Sequence, residues 1–149
     1  MRTLRAFARR EQAGQALIEF ALILPLLLLI ITGLFDVARA TWEENTLAYA
    51  AREGTRYAIV HGSASLDGVV VHTGNEQPVI DVVRAAAVGV PNVSVTVTWP
   101  TPGGSNCYDR NCQVQVEASA PFVPVPSQYM LGSTFQITLR GGSMLVIQR

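Results

Sequence analysis

Residues 10–36 read REQAGQALIEFALILPLLLLIITGLFD. From Ala16 to Phe35 the run is apolar apart from Glu19, Thr32 and Gly33. About twenty residues at a helical rise of 1.5 Å span roughly 30 Å, the thickness of a bilayer's hydrocarbon core. A carboxylate in hydrocarbon costs on the order of 3 kcal/mol even on lenient insertion scales. Glu19 therefore asks for a partner that the run itself does not supply.

The chain has 149 residues, 49% of them apolar and 15% charged, with formal charges that cancel. That is a single-domain length with an unusually low charge density. The charges are unevenly placed. Arg2, Arg5, Arg9 and Arg10 crowd the first ten residues against Glu11 alone, whereas Asp36, Glu43 and Glu44 follow the apolar run. Basic residues before a span place the N-terminus in the cytoplasm and everything after Asp36 outside it. There is no lysine and no basic patch beyond the leader, which argues against nucleic-acid binding. Cys107 and Cys112 are too few for a structural zinc site. In an oxidising compartment they read as a small disulfide loop, the alternative being two free thiols.

Three readings of the leading segment compete. One is a plain single-pass anchor. Another is a secretory signal, since Ala38-Arg39-Ala40 resembles a small-residue cleavage site. The apolar run is too long for that, and Asp36 and Arg39 crowd the cut. Neither reading explains Glu19. The third does: a basic leader, Gly14, Gln15-Ala16-Leu17-Ile18, then Glu19-Phe20 and an apolar run resembles the class III signal of type IV prepilins.

The resemblance sharpens further on. Gly14, Gln15, Ala16, Glu19 and Phe20, then Leu24-Pro25-Leu26, then Ala50, Ala51, Arg52, Glu53, Gly54 and Arg56 look like the TadE-like family, pseudopilins of the tight-adherence pilus system. The similarity covers residues 13–60. It implies cutting by a prepilin peptidase between Gly14 and Gln15 on the cytoplasmic face, with the apolar segment retained. The new α-amine of Gln15 would be a cation at neutral pH if it stays free. In an assembly it could face Glu19 of a neighbouring subunit, fixing the axial register between helices, with Phe20 beside it. The implied partners are that peptidase, other pilin subunits, the membrane platform of the pilus machine and the lipid bilayer. The implied locations are the cell membrane and the pilus. No cofactor or metal is expected.

The domain organisation expected is a basic leader over 1–14, a transmembrane helix over 15–36, a helical stem over 37–60 and an exported domain over 61–149. Residues 36–60 contain no proline, so the membrane helix should run on to about Val60. Along it Leu47, Ala51, Gly54 and Ala58 recur at spacings of four, three and four. This narrow stripe of mostly small residues suits close helix packing, either on the chain's own exported part or between subunits. Trp42 and Tyr49 are candidate headgroup anchors. Arg52, Glu53 and Arg56 could bridge subunits, with a solvated helix face as the default reading.

The exported part should hold a helix near Pro78–Val88, closed by Gly89 and Pro91. Alternation marks strands at 92–99, with Val93, Val95, Val97 and Trp99 on one face, and at 112–120, with Val114 and Val116. A third is expected at 134–139, aligning Phe135, Ile137 and Leu139. Residues 141–149 would supply a separate edge strand, and the proline-rich 121–132 a crossing connection. The fold class is α+β: a long N-terminal transmembrane helix continuing into a small exported domain with a second helix and a three- or four-stranded antiparallel sheet.

No catalytic residues stand out. His61, His72, Asp67 and nearby serines lie in loops, and no strand–Gly-x-Ser-x-Gly–helix elbow, HExxH or phosphate loop is present. A structural pilus subunit is the functional expectation. The alternative is an uncleaved, membrane-anchored binding module with an extracytoplasmic domain.

Overall fold

The computed structural model describes residues 2–100, 107, 109–130 and 135–148, with side chains from Gly14 onward except at 127 and 130. Most of the loop expected over 100–111, including the Gly-Gly-Ser at 103–105, lies outside the described residues.

One helix, α1, runs from Arg2 to Val60 without interruption, about 88 Å at 1.5 Å per residue. Pro25 lies inside it. Proline denies the carbonyl of Ala21 its usual partner, a loss that membrane helices tolerate when a neighbour supplies a donor. Further along, the Thr32 hydroxyl turns back onto the Leu28 and Leu29 carbonyls, both at 3.0 Å. The most apolar window of the helix has a mean hydropathy of 2.6, and none of it is buried by the rest of the chain.

The stem half of α1 lies on a three-stranded antiparallel sheet of order β1-β2-β3. Its strands are β1 (Ser94–Thr98), β2 (Gln113–Phe122) and β3 (Ile137–Val146). In the register Val97 pairs with Val116, which pairs with Ser143, and Ala118 pairs with Gly141. Strict alternation buries Val114, Val116, Ala118, Ala120 and Phe122 under α1 and leaves Gln113, Glu117 and the intervening residues on the other side. Pro121 sits where β1 has already ended, so its missing N–H breaks no ladder on that side.

The second helix, α2 (Gln77–Ala86), starts on Pro78, places Arg84 in its last turn and is followed by Gly89 at φ +79°. Its Val79 and Val83 are fully buried against α1. The contact depends on Gly54, where an added Cβ would lie 2.3 Å from Val83 Cγ2.

Two expectations are corrected. The anticipated third and edge strands are one strand, β3, running straight through Gly141-Gly142. Paired glycines commonly interrupt a strand, but here a Cβ on Gly141 would sit 2.3 Å from the backbone nitrogen of Ala48. The residue is glycine because the α1 backbone lies directly upon it. Phe135 precedes the strand and is exposed, as is Ile137, so the inward face expected there begins only at Leu139. The proline-rich segment is also more than a connection. Its first residues finish β2, and Val125–Met130 form a short helix, α3.

Candidate functional site

A single face of α1 does most of the organising. Leu47, Ala51, Gly54 and Ala58 are all buried against the chain's own sheet and α2. Ala50 and Thr55 join them, the Thr55 hydroxyl donating to Ala51 O at 2.7 Å. Arg52, Glu53 and Arg56 point elsewhere, with a Glu53–Arg56 contact of 3.4 Å. At such exposure that pair contributes little.

Below Leu47 the same face continues at helical spacing through Glu43, Arg39 and Asp36, and its character becomes ionic. Asp36 and Glu43 are buried, at 7% and 5% exposure. The Arg39 guanidinium donates to Glu43 at 3.1 Å and to the Val123 carbonyl at 3.2 Å, and lies 4.5 Å over the Phe122 ring. The Asp36 carboxylate accepts the Val125 backbone N–H at 2.8 Å. Together these fasten the end of β2 and the start of α3 to the helix. Reading Asp36 and Glu43 only as charges on the outer side of a membrane missed this role. The signal was the Asp36-Arg39-Glu43-Leu47 spacing, which extends the stripe already seen.

Below Asp36 the face is apolar again. Pro25, Leu28, Leu29 and Thr32 form one wall of an open cleft of about 410 Å³, and Val125, Pro126 and Tyr129 form the other. Asp36→Ala would remove the acceptor of the Val125 amide and leave it unpartnered. The expected result is local opening of α3, costing about 1–3 kcal/mol, read as faster amide exchange across Val125–Met130 with the sheet unaffected.

Nearer the N-terminus, Gly14 and Glu19 both lie on the exposed surface of α1. A Cβ at Gly14 would meet nothing within 4 Å. The Glu19 carboxylate accepts a hydrogen bond from the Gln15 side-chain amide at 3.1 Å, a neutral partner one turn back. Phe20 is 60% exposed. The candidate headgroup anchors differ from each other. Both are about half exposed, but Trp42 also packs its ring over Gly89, where a Cβ would lie 2.7 Å from Cη2.

Cys107 and Cys112 form a disulfide with Cα atoms 5.7 Å apart. It lies beside the C-terminal end of the sheet, where the Ile147 N–H donates to Cys112 O at 2.7 Å.

The loop after α1 holds His61, Ser65 and Asp67 around a cleft of about 150 Å³. Its wiring is structural. Asp67 accepts from both the Ser65 hydroxyl and His61 Nε2, so Ser65 has no imidazole base to take its proton. His61 Nδ1 lies 2.7 Å from Tyr57 O, and both ring contacts are hydrogen bonds only when both nitrogens carry protons. The Ser65 hydroxyl foremost, then the Val69 amide and His61, hold the Asp67 carboxyl at about 2. A carboxyl whose value is depressed in the folded state supports the fold above its ordinary range and loses that support as pH falls through the folded value. The Asp67 contacts in the 61–69 loop should therefore persist down to about pH 4 and weaken as pH falls toward 2. Val69 amide protection measured across an acid titration would show this. No group of three or more His, Cys, Asp or Glu suited to a metal occurs among the described residues.

Comparison with known proteins is consistent with this geometry. No curated protein and no solved structure matches the chain significantly. The family model described as TadE-like protein matches residues 14–56. That stretch begins at Gly14, takes in the whole apolar run and ends on the stripe that carries the sheet domain. TadE-like proteins are a structural, pilus-associated family. An exposed apolar helix long enough to cross a bilayer, leading into a buried stem, is the part of the chain that is similar to TadE-like proteins.

Proposed function

We propose that the chain is a structural subunit of a tight-adherence or type IV-like pilus or secretion apparatus, made as a membrane-anchored precursor and cut between Gly14 and Gln15 by a prepilin peptidase. The observation that carries this is the placement of Glu19. It sits on the outward surface of a lipid-length apolar helix, and among the described residues its hydrogen-bond partner is the neutral Gln15 amide. Loss of the leader would put a cationic α-amine on Gln15, one turn from that carboxylate and from those of adjoining subunits. In a low-dielectric helix bundle a paired Glu19 is tolerated and an unpaired one is penalised, so the pair selects register more than it adds stability.

Gly14 fits the same reading. It lies in a helix interior, where glycine costs about 1 kcal/mol relative to alanine, and open space surrounds it. Among the described residues, nothing uses its missing side chain. A helical scissile bond must unwind to enter a protease, and glycine lowers that cost. Other pilins, the peptidase and the membrane platform are the proposed partners. The Leu47–Ala58 stripe serves the subunit's own fold, leaving the helix surface below it for assembly.

Deleting the gene in a piliated producer should abolish or sharply reduce surface filaments. Wild-type chain should restore them and Gly14→Leu should not. Unaltered filaments in the deletion strain would overturn the proposal.

A further inference from the structure

The position of α3 conflicts with a simple division into a lipid-facing helix and a water-facing domain. From the Asp36–Val125 hydrogen bond, the cleft that α3 forms with α1 returns as far as Pro25. That return covers eleven residues of helix, roughly 16 Å, which is about half the thickness of a hydrocarbon core. If residues 16–35 span the bilayer, Val125–Met130 must share the outer half of it.

The segment is prepared for that. Pro121, Pro124 and Pro126 have no N–H to desolvate. The Val125 N–H goes to Asp36, the Gln128 N–H to Pro124 O at 3.0 Å, and the Val123 carbonyl takes Arg39. Irregular backbone is viable at membrane depth only when its polar groups are satisfied in this way. The cleft it forms with α1 is apolar and continuous with the exposed helix surface, and the one hydroxyl on its α1 wall is turned onto backbone.

We infer that Val125–Met130 form a wedge in the outer leaflet, and that the cleft between α3 and Pro25–Thr32 holds a lipid acyl chain. The inference rests on the membrane-anchored reading above. It makes Asp36 and Arg39 the hinge at which the exported domain is tied to the bilayer.

The test uses full-length protein in vesicles of phosphatidylethanolamine and phosphatidylglycerol. An environment-sensitive fluorophore is attached to one introduced thiol, the native cysteines being paired. Tyr129→Cys reports the wedge; Tyr129 is 81% exposed, so the change should not disturb folding. Leu22→Cys reports the helix, and Leu66→Cys, at 84% exposure, reports water. The wedge requires the label at 129 to behave like that at 22, losing emission to nitroxides on lipid acyl chains and resisting aqueous iodide. If 129 follows 66 while 22 lies in lipid, the wedge is wrong and the anchor stands. If 22 also follows 66, the anchored reading itself fails. A label at 129 shielded from both quenchers would mean that protein, such as a second copy, covers the cleft, which also overturns the inference.

Discussion

Gly141→Ala is expected to destabilise the folded protein by about 3 kcal/mol, the upper range for overpacking. The new methyl would lie 2.3 Å from Ala48 N and 2.5 Å from the Leu47 carbonyl carbon. These are backbone atoms in the middle of a long helix and cannot rotate away, so the helix would have to lift off the sheet along its whole buried stripe. Gly142→Ala is the matched control. Its nearest neighbour would be the Glu117 Cγ at 3.7 Å, ordinary contact on the outward side. Urea unfolding of the detergent-solubilised protein should separate the two clearly. Equal stability for both variants would mean that α1 does not rest on β3 as described.

Glu19→Leu is expected to leave processing and membrane residence intact while abolishing assembly. The substitution makes the span more apolar, so insertion should improve if anything. What it removes is the partner of the new α-amine. Leaving one member of a buried ion pair without the other costs about 3 kcal/mol or more, over a hundredfold in subunit association. Mature protein should accumulate in membranes and vanish from sheared filaments. Glu19→Gln separates charge from hydrogen bonding, because it can still meet Gln15 but cannot neutralise an amine. It should fail nearly as fully as leucine. Filaments of normal abundance in either variant would remove the register role.

Much of this architecture was legible in the residues because its physical demands are local. A lipid-length apolar run, an uninterrupted helical stem and small residues at helical spacing each announce a helix and its packing face from nearby residues alone. Alternation likewise placed β1 and β2 to within a residue or two. What escaped depends on contacts between distant segments. Gly141-Gly142 carries the composition of a turn, yet Gly141 serves as the seat of the α1 backbone at Leu47-Ala48, far away in sequence. Asp36 and Glu43 carry the composition of a water-facing flank and are buried, because Arg39 and the Val125 amide come to meet them. The short α3, rich in proline, gives no periodic signal of its own. It is held by those side chains rather than by propensity.

The Gly14–Gln15 cut can be tested most directly by intact mass of the chain recovered from the membranes of a producing strain. A mature species beginning at Gln15, with its amine retained, is the expected result. Loss of ammonia from that species would mean a cyclised Gln15 and no cation for Glu19 to meet. An intact leader, or a chain beginning after Ala40, would contradict the account outright.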